Sequence, residues 1–163
     1  MNRKYDGIID EILFYSERDE NGRWIIPIVV DWDYTLTKCS SWDDEEMILN
    51  EAAFPIMRRW IEEYNVGFIL DTMRHDEILK EPLEILGSEN IKLYGIRRNP
   101  QQDKDGNTVT KAFAVFSVDD RNVNIPIKWY DNCTRPHVDW EKVDEIMTPI
   151  LEHISTQLKK VVL

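Results

Sequence analysis

Apolar residues follow two alternating rhythms along this chain. Tyr5, Ile8, Ile9, Ile12 and Leu13 fall on one helical face, which predicts an amphipathic helix within residues 1–20. Asn21-Gly22 then signals a tight turn. The run Trp24-Ile25-Ile26-Pro27-Ile28-Val29-Val30 is β-branched and almost wholly apolar, the pattern of a strand buried on both faces and so of a parallel sheet. Pro27 lacks an N–H and belongs early in that strand or at an irregular position. Glu45 to Tyr64 reads as helix in two pieces, because Pro55 fits the first turn of a helix better than its interior. Val66 to Leu70 reads as a second strand, Asp76 to Leu86 as a helix that Pro82 weakens, and Ile91 to Gly95 as a third strand. A polar loop, Asn99 to Thr108, leads to a fourth strand at Phe113 to Val118. Trp140 to Lys159 is a final amphipathic helix with Asp139 as its N-cap.

Strands alternating with helices predict an α/β fold, a doubly wound and mostly parallel sheet with helices on both faces. The 163 residues suit one domain, with a core at 24–127 and helical additions at 1–20 and 139–160. In this architecture ligands bind beyond the carboxyl ends of the strands, so the segment after each strand carries most information.

Composition narrows the setting. With 42% hydrophobic and 31% charged residues the chain has the balance of a soluble globular protein. Charges at Arg3, Lys4, Asp6, Asp10 and Glu11 argue against a signal peptide, and no stretch suits a bilayer span. Cys39 and Cys133 alone imply no disulfide framework, so a cytoplasmic location is expected. A net charge of −11 disfavours an acidic membrane surface and strong non-specific binding to nucleic acid. The carboxylate excess fits a divalent-cation site, although surface solubility explains most of it. His75, His137 and His153 have no zinc-ligand spacing with the cysteines.

The first strand ends in Asp31-Trp32-Asp33-Tyr34-Thr35-Leu36-Thr37. Two carboxylates one residue apart after a buried strand are costly unless neutralised, and a hard cation neutralises them. Alone, the pair also suits a turn with an N-cap. The second strand ends in Asp71-Thr72-Met73-Arg74, a hydroxyl able to hold a phosphoryl oxygen and a guanidinium suited to phosphate. Thr72 and Arg74 also suit a helix cap and an ion pair with Asp76. The fourth strand ends in a second acidic pair, Asp119-Asp120, and Lys111 precedes that strand. Asp43-Asp44-Glu45-Glu46 reads as the acidic first turn of a helix after Ser41. Trp24, Trp60 and Trp140 are expected in the core. Trp42 lies in the segment best placed to meet substrate, although burial is the commoner fate of tryptophan.

Asp31-x-Asp33-x-Thr35-Leu36-Thr37 resembles the first motif of the haloacid dehalogenase-like phosphatases. Thr72 resembles the second motif of that superfamily, Lys111 its third and Asp119-Asp120 its fourth, in the same order between Ile25 and Asn122. Val118 to Asn122 is similar to compact bacterial and phage members, and Arg74 is similarly placed in polynucleotide 3′-phosphatases. Many relatives carry glycine where Tyr34 stands, and phenylalanine or leucine where Trp32 stands. The resemblance implies a Mg²⁺-dependent phosphatase. Asp31 would be its nucleophile, forming an aspartyl-phosphate, and Asp33 its acid/base group. The metal would be held by Asp31, the Asp33 main-chain carbonyl and Asp119-Asp120. The phosphoryl oxygens would be bound by Thr72, Lys111 and Arg74. Substrates of this class are phosphorylated small molecules, nucleotides or a nucleic-acid 3′ end. Helix uses most of the chain between the first two strands, which leaves a flap at Lys38 to Asp44 and no room for a cap domain. An open site of that kind admits bulky substrates or is closed by forming a homo-oligomer.

Two other classes compete. A nucleotide-sugar transferase also uses Asp-x-Asp to hold a metal and a diphosphate, but the Thr-Leu-Thr continuation and the later Val-Asp-Asp disfavour it. A binding or regulatory module could keep the fold without turnover, against which stands retention of Asp31, Asp33, Thr72, Asp119 and Asp120.

Overall fold

A computed structural model of the chain describes residues 5–97, 99–100 and 112–161. Its centre is a parallel four-stranded sheet formed by β1 (Ile26–Val30), β4 (Val66–Leu70), β5 (Gly95–Ile96) and β6 (Phe116–Val118), in the order β5-β4-β1-β6. Helices α1 (Asp6–Tyr15), α2 (Ala53–Tyr64), α3 (Glu77–Ser88) and α4 (Trp140–Leu158) complete a layered, Rossmann-like α/β arrangement. Two short antiparallel pairs stand outside the sheet: β2 (Thr37–Cys39) with β3 (Ile48–Leu49), and β7 (Ile127–Lys128) with β8 (His137–Val138).

The two central strands carry the apolar runs expected of them. All five residues of β4 are buried, as are four of the five in β1. The register pairs Ile26 with Val66 and Val30 with Leu70, so both strands end level. Pairing with β6 begins only at Ile28, so the N–H missing from Pro27 breaks no rung of that ladder. Gly67 lets the chains close up: a Cβ there would lie 2.6 Å from Ile25 Cγ2 and 2.9 Å from Tyr94 Cβ.

Trp60 fastens α2 to its surroundings. Its ring lies 6.3 Å from Phe68 of β4 and 5.9 Å from Trp140 of α4, and its Nε1 donates to Asp144 Oδ1 at 2.8 Å. Trp32, Trp60 and Trp140 are fully buried, and each burial of this size contributes on the order of 2–3 kcal/mol. Ile8, Ile9, Ile12 and Leu13 of α1 pack onto the same core. Asp139 caps α4 as expected, accepting from the Lys142 N–H at 3.3 Å.

Several boundaries differ from the sequence expectation. The outer strands are shorter, β5 starting at Gly95 and β6 at Phe116, and β1 starts at Ile26. Trp24 instead forms an isolated bridge to Arg18 and is only partly buried. The first of the two expected helical pieces is absent: residues 45–47 are irregular and 48–49 form β3. Asp44 accounts for this. Its carboxylate accepts from the Ser40 N–H, the Thr134 N–H and the Tyr34 hydroxyl, holding a turn where an acidic helix start was expected. Pro55 does sit in the first turn of α2. Most of the Asn99–Thr108 loop lies outside the described residues.

The cysteines also depart from expectation. Cys39 of β2 and Cys133, in the β7–β8 connection, form a disulfide across 94 residues, with their Cα atoms 5.2 Å apart. The fold brings together two segments distant in sequence whose cysteine spacing implies no framework. No helix among the described residues is long and apolar enough to cross a membrane.

Candidate active site

Chain order reverses between β1 and β6: the path runs β1, β4, β5 to one side, then crosses to β6 on the other. That break is the crevice where open α/β sheets hold ligands. Asp31 follows β1 and Asp119 follows β6, so both acids stand at it, and the Asp31 N–H donates to the Val118 carbonyl at 3.1 Å. A cavity of about 430 Å³ opens there, lined among others by Asp31, Asp33, Asp71, Thr72 and Asp119.

The turn after β1 is tightly organised. The Trp32 carbonyl accepts from the N–H groups of Thr35, Leu36 and Thr37 at 2.9–3.3 Å. Tyr34 takes a left-handed backbone, φ 57°, a conformation that suits glycine and strains other residues. Here the Tyr34 side chain offsets the strain. Its hydroxyl donates to Asp44 Oδ2 at 2.7 Å, and the Arg135 guanidinium lies 4.6 Å from its ring centroid. Thr35 Oγ1 accepts from the Asp120 N–H at 3.1 Å, which ties the first acidic loop to the second. The Thr35 carbonyl accepts from Trp140 Nε1 and Asn50 Nδ2, fixing both loops to the core.

Carboxylate oxygens of Asp31, Asp119 and Asp120 lie within 4.8 Å of one another. Burial pushes the Asp31 carboxyl up from an ordinary 3.8 to about 7, and the charges of Asp119, Asp33 and Asp120 push the same way against a hydrogen bond from the Trp32 N–H. Burial also raises Asp120, with Asp119 adding to it and Arg135 opposing. Such a set of hard oxygen donors, strained by mutual repulsion, fits a divalent cation.

Asp33 is separated from this trio by its partners. Arg74 grips it through Nε to Oδ2 at 3.0 Å and Nη2 to Oδ1 at 2.7 Å, and Ser40 Oγ donates to Oδ1 at 2.6 Å. Arg74 is only 3% exposed and also donates to Ser41 Oγ. The alternative pairing with Asp76 is not formed; Asp76 instead meets His75 at the surface. Thr72 is buried at the cavity wall, its Oγ1 accepting from the Arg74 N–H at 3.2 Å.

No protein-family profile matches the chain, and no curated protein matches it. A solved structure of a conserved protein from Bacteroides thetaiotaomicron is similar, with a TM-score of 0.57 at 21% identity over 77% of this chain and 92% of that one. That likeness shows the fold alone.

Of the residues read from sequence, Asp31, Asp33, Thr72, Arg74, Asp119 and Asp120 gather around one crevice, while Lys111 lies outside the described residues. Nothing in the local sequence marks the structural role of Tyr34, or Ser40, Arg121 and Arg135, as part of the site. Arg121 follows the acidic pair, lines the cavity and makes no ion pair among the described residues. Arg135 reaches in from the β7–β8 connection and pairs with Asp120. The signal for Arg135 was its place two residues after Cys133, but reading it required knowing the partner of that cysteine.

Proposed function

We propose that this chain is a Mg²⁺-dependent phosphatase of the haloacid dehalogenase-like type, hydrolysing phosphate monoesters through an aspartyl-phosphate on Asp31. The observation that carries this reading is the convergence of Asp31, Asp119 and Asp120 at the switch point of the sheet, with their carboxylates within 4.8 Å. An aspartate that burial and three like charges discourage from ionising makes sense where a cation completes the site. The Asp31, Asp119 and Asp120 side chains and the Asp33 main-chain carbonyl would hold Mg²⁺, which when bound neutralises the repulsion between carboxylate and phosphate.

The residues of the chain supply the rest. A carboxylate oxygen of Asp31 forms a bond to phosphorus as the ester oxygen leaves, and water then attacks the same phosphorus and frees Asp31. Asp33 protonates the leaving oxygen and afterwards takes the proton of the attacking water. Arg74 and Ser40 both donate to its oxygens, which keeps its carboxylate aimed at one place. Thr72 already accepts from the Arg74 N–H, so its own proton is available to a phosphoryl oxygen. Arg121 supplies a cation at the cavity wall alongside the role assigned to Lys111. Only the β2–β3 pair and its turn stand between β1 and α2, which supports a site without a separate cap.

The test is hydrolysis of a generic aryl phosphate with Mg²⁺ and after chelation, with Asp31→Asn as the control. Turnover that needs both the metal and Asp31 supports the reading. Turnover that survives chelation or Asp31→Asn sinks the mechanism, and an intact protein that binds esters without turnover is a binding module instead.

A further inference from the structure

Trp42 is 58% exposed at the mouth of the candidate site, while Trp32, Trp60 and Trp140 are wholly buried. It is also held in place. Its main-chain N–H donates to Ser40 Oγ at 3.2 Å, the same oxygen that donates to Asp33. The Arg74 guanidinium, itself fixed on Asp33, lies 5.7 Å from the centre of its ring. Met73, 81% exposed, adds apolar surface to the wall of the same cavity. An exposed indole near one guanidinium, beside a thioether in a cavity otherwise lined mostly by polar and charged residues, is a surface suited to something planar and weakly polar.

Its position says which part of a substrate it meets. On the phosphatase reading Asp33 addresses the oxygen of the leaving group, and Trp42 lines the same cavity, linked to Asp33 through Ser40 and Arg74. With the phosphoryl group at Asp31 and the leaving oxygen at Asp33, the organic part of the ester is the part left to meet Trp42 and Met73 on the cavity wall. A nucleotide offers a planar base held off its phosphate by a sugar.

We infer that Trp42 is a stacking platform for a nucleobase, so the substrates are nucleotides whose base rests on Trp42 while the phosphate meets Asp31. This rests on the phosphatase reading and adds the substrate class to it. Base–aromatic stacking tolerates any base, because each presents a π-face. Free nucleoside monophosphates and the terminal nucleotide of a strand share this chemistry. The net charge of −11 favours binding a single nucleotide or strand end over a long polyanion.

The experiment is equilibrium binding in Mg²⁺ to full-length Asp31→Asn protein, which does not consume the ligand. The probes are a nucleoside monophosphate, ribose 5-phosphate and a short oligonucleotide with a terminal phosphate. At least one nucleotide probe should bind about tenfold or more tighter than ribose 5-phosphate. That preference should vanish when Trp42→Ala is added and largely persist with Trp42→Phe, with thermal stability unchanged. Whichever nucleotide probe binds tighter identifies the source. Equal affinity for base-bearing and base-free ligands, no binding of either nucleotide, or a preference that survives Trp42→Ala overturns the platform. The phosphatase reading fails separately, if the wild-type chain turns over no ester while the Trp42-dependent preference stands.

Discussion

Arg74 holds Asp33 side-on, with two guanidinium nitrogens on two carboxylate oxygens at 2.7 and 3.0 Å. Arg74 is almost closed to water, with 4% of its side chain exposed, while Asp33 keeps 21% open at the cavity. A bidentate grip of this kind fixes direction as well as distance, which a lysine cannot reproduce. Charged hydrogen bonds contribute about 1.5–3 kcal/mol, so Arg74→Ala should lower kcat by about ten- to a hundredfold. Arg74→Lys should rescue little of it. Steady-state kinetics check this: a raised KM at unchanged kcat would show instead that Arg74 binds the phosphate directly.

The Asp31 carboxyl provides a stability signature without any substrate. In the folded chain without metal it titrates near 7 rather than 3.8. The folded state therefore prefers the protonated form, so the favourable contribution is complete below 3.8 and is lost as pH rises through about 7. Asp31→Asn removes that loss. The variant should match wild type near pH 4 and exceed it increasingly toward pH 8, by at most about 4 kcal/mol at roughly 1.4 kcal/mol per pKa unit. Adding Mg²⁺ should raise the melting temperature of wild type and narrow the gap. Thermal melts across that pH range, with and without Mg²⁺, are the check, and a gap independent of pH would contradict the assignment.

The disulfide binds the flap to the loop that delivers Arg135. Cys39 and Cys133 close a span of 94 residues, and removing such a link costs about 2–4 kcal/mol. Cys133→Ser or reductant should lower the denaturation midpoint accordingly. Thiol titration of the unreduced, unfolded chain should find no free cysteine among these two; two titratable thiols would show that the bond does not form.

Close packing of β4 gives a purely structural prediction. A methyl group at Gly67 would meet Ile25 and Tyr94 inside 3 Å. Overpacking of this kind costs about 1–3 kcal/mol, so Gly67→Ala should shift the urea midpoint downward while leaving the activity of the folded fraction unchanged.

The parts legible in the sequence are those whose physics is local. A strand buried on both faces must be apolar throughout, and β1 and β4 announce themselves that way. An acid directly after such a strand must sit at the carboxyl end of the sheet, which is how Asp31 is legible, while its meeting with Asp119 and Asp120 is legible only through the motif resemblance, because β6 is exposed at Ser117. The rest depends on contacts between distant segments. Arg135 belongs to the site because the β7–β8 connection folds against the flap. Asp44 breaks the expected helix because Tyr34 and Thr134 reach it. The partner of Arg74 was ambiguous for the same reason: Asp76 is nearer in sequence, but Asp33 is nearer in space and in a drier place.

On the phosphatase reading, Asp31 becomes covalently phosphorylated in each turnover. The most direct measurement is acid quenching of the wild-type chain during turnover with Mg²⁺ and a phosphate ester, followed by peptide mass spectrometry. One phosphoryl group should appear on the peptide that carries Asp31, and none when Asp31→Asn is treated in the same way. Active turnover with that peptide unmodified at every quench time, or with the phosphoryl group on another residue, would contradict it.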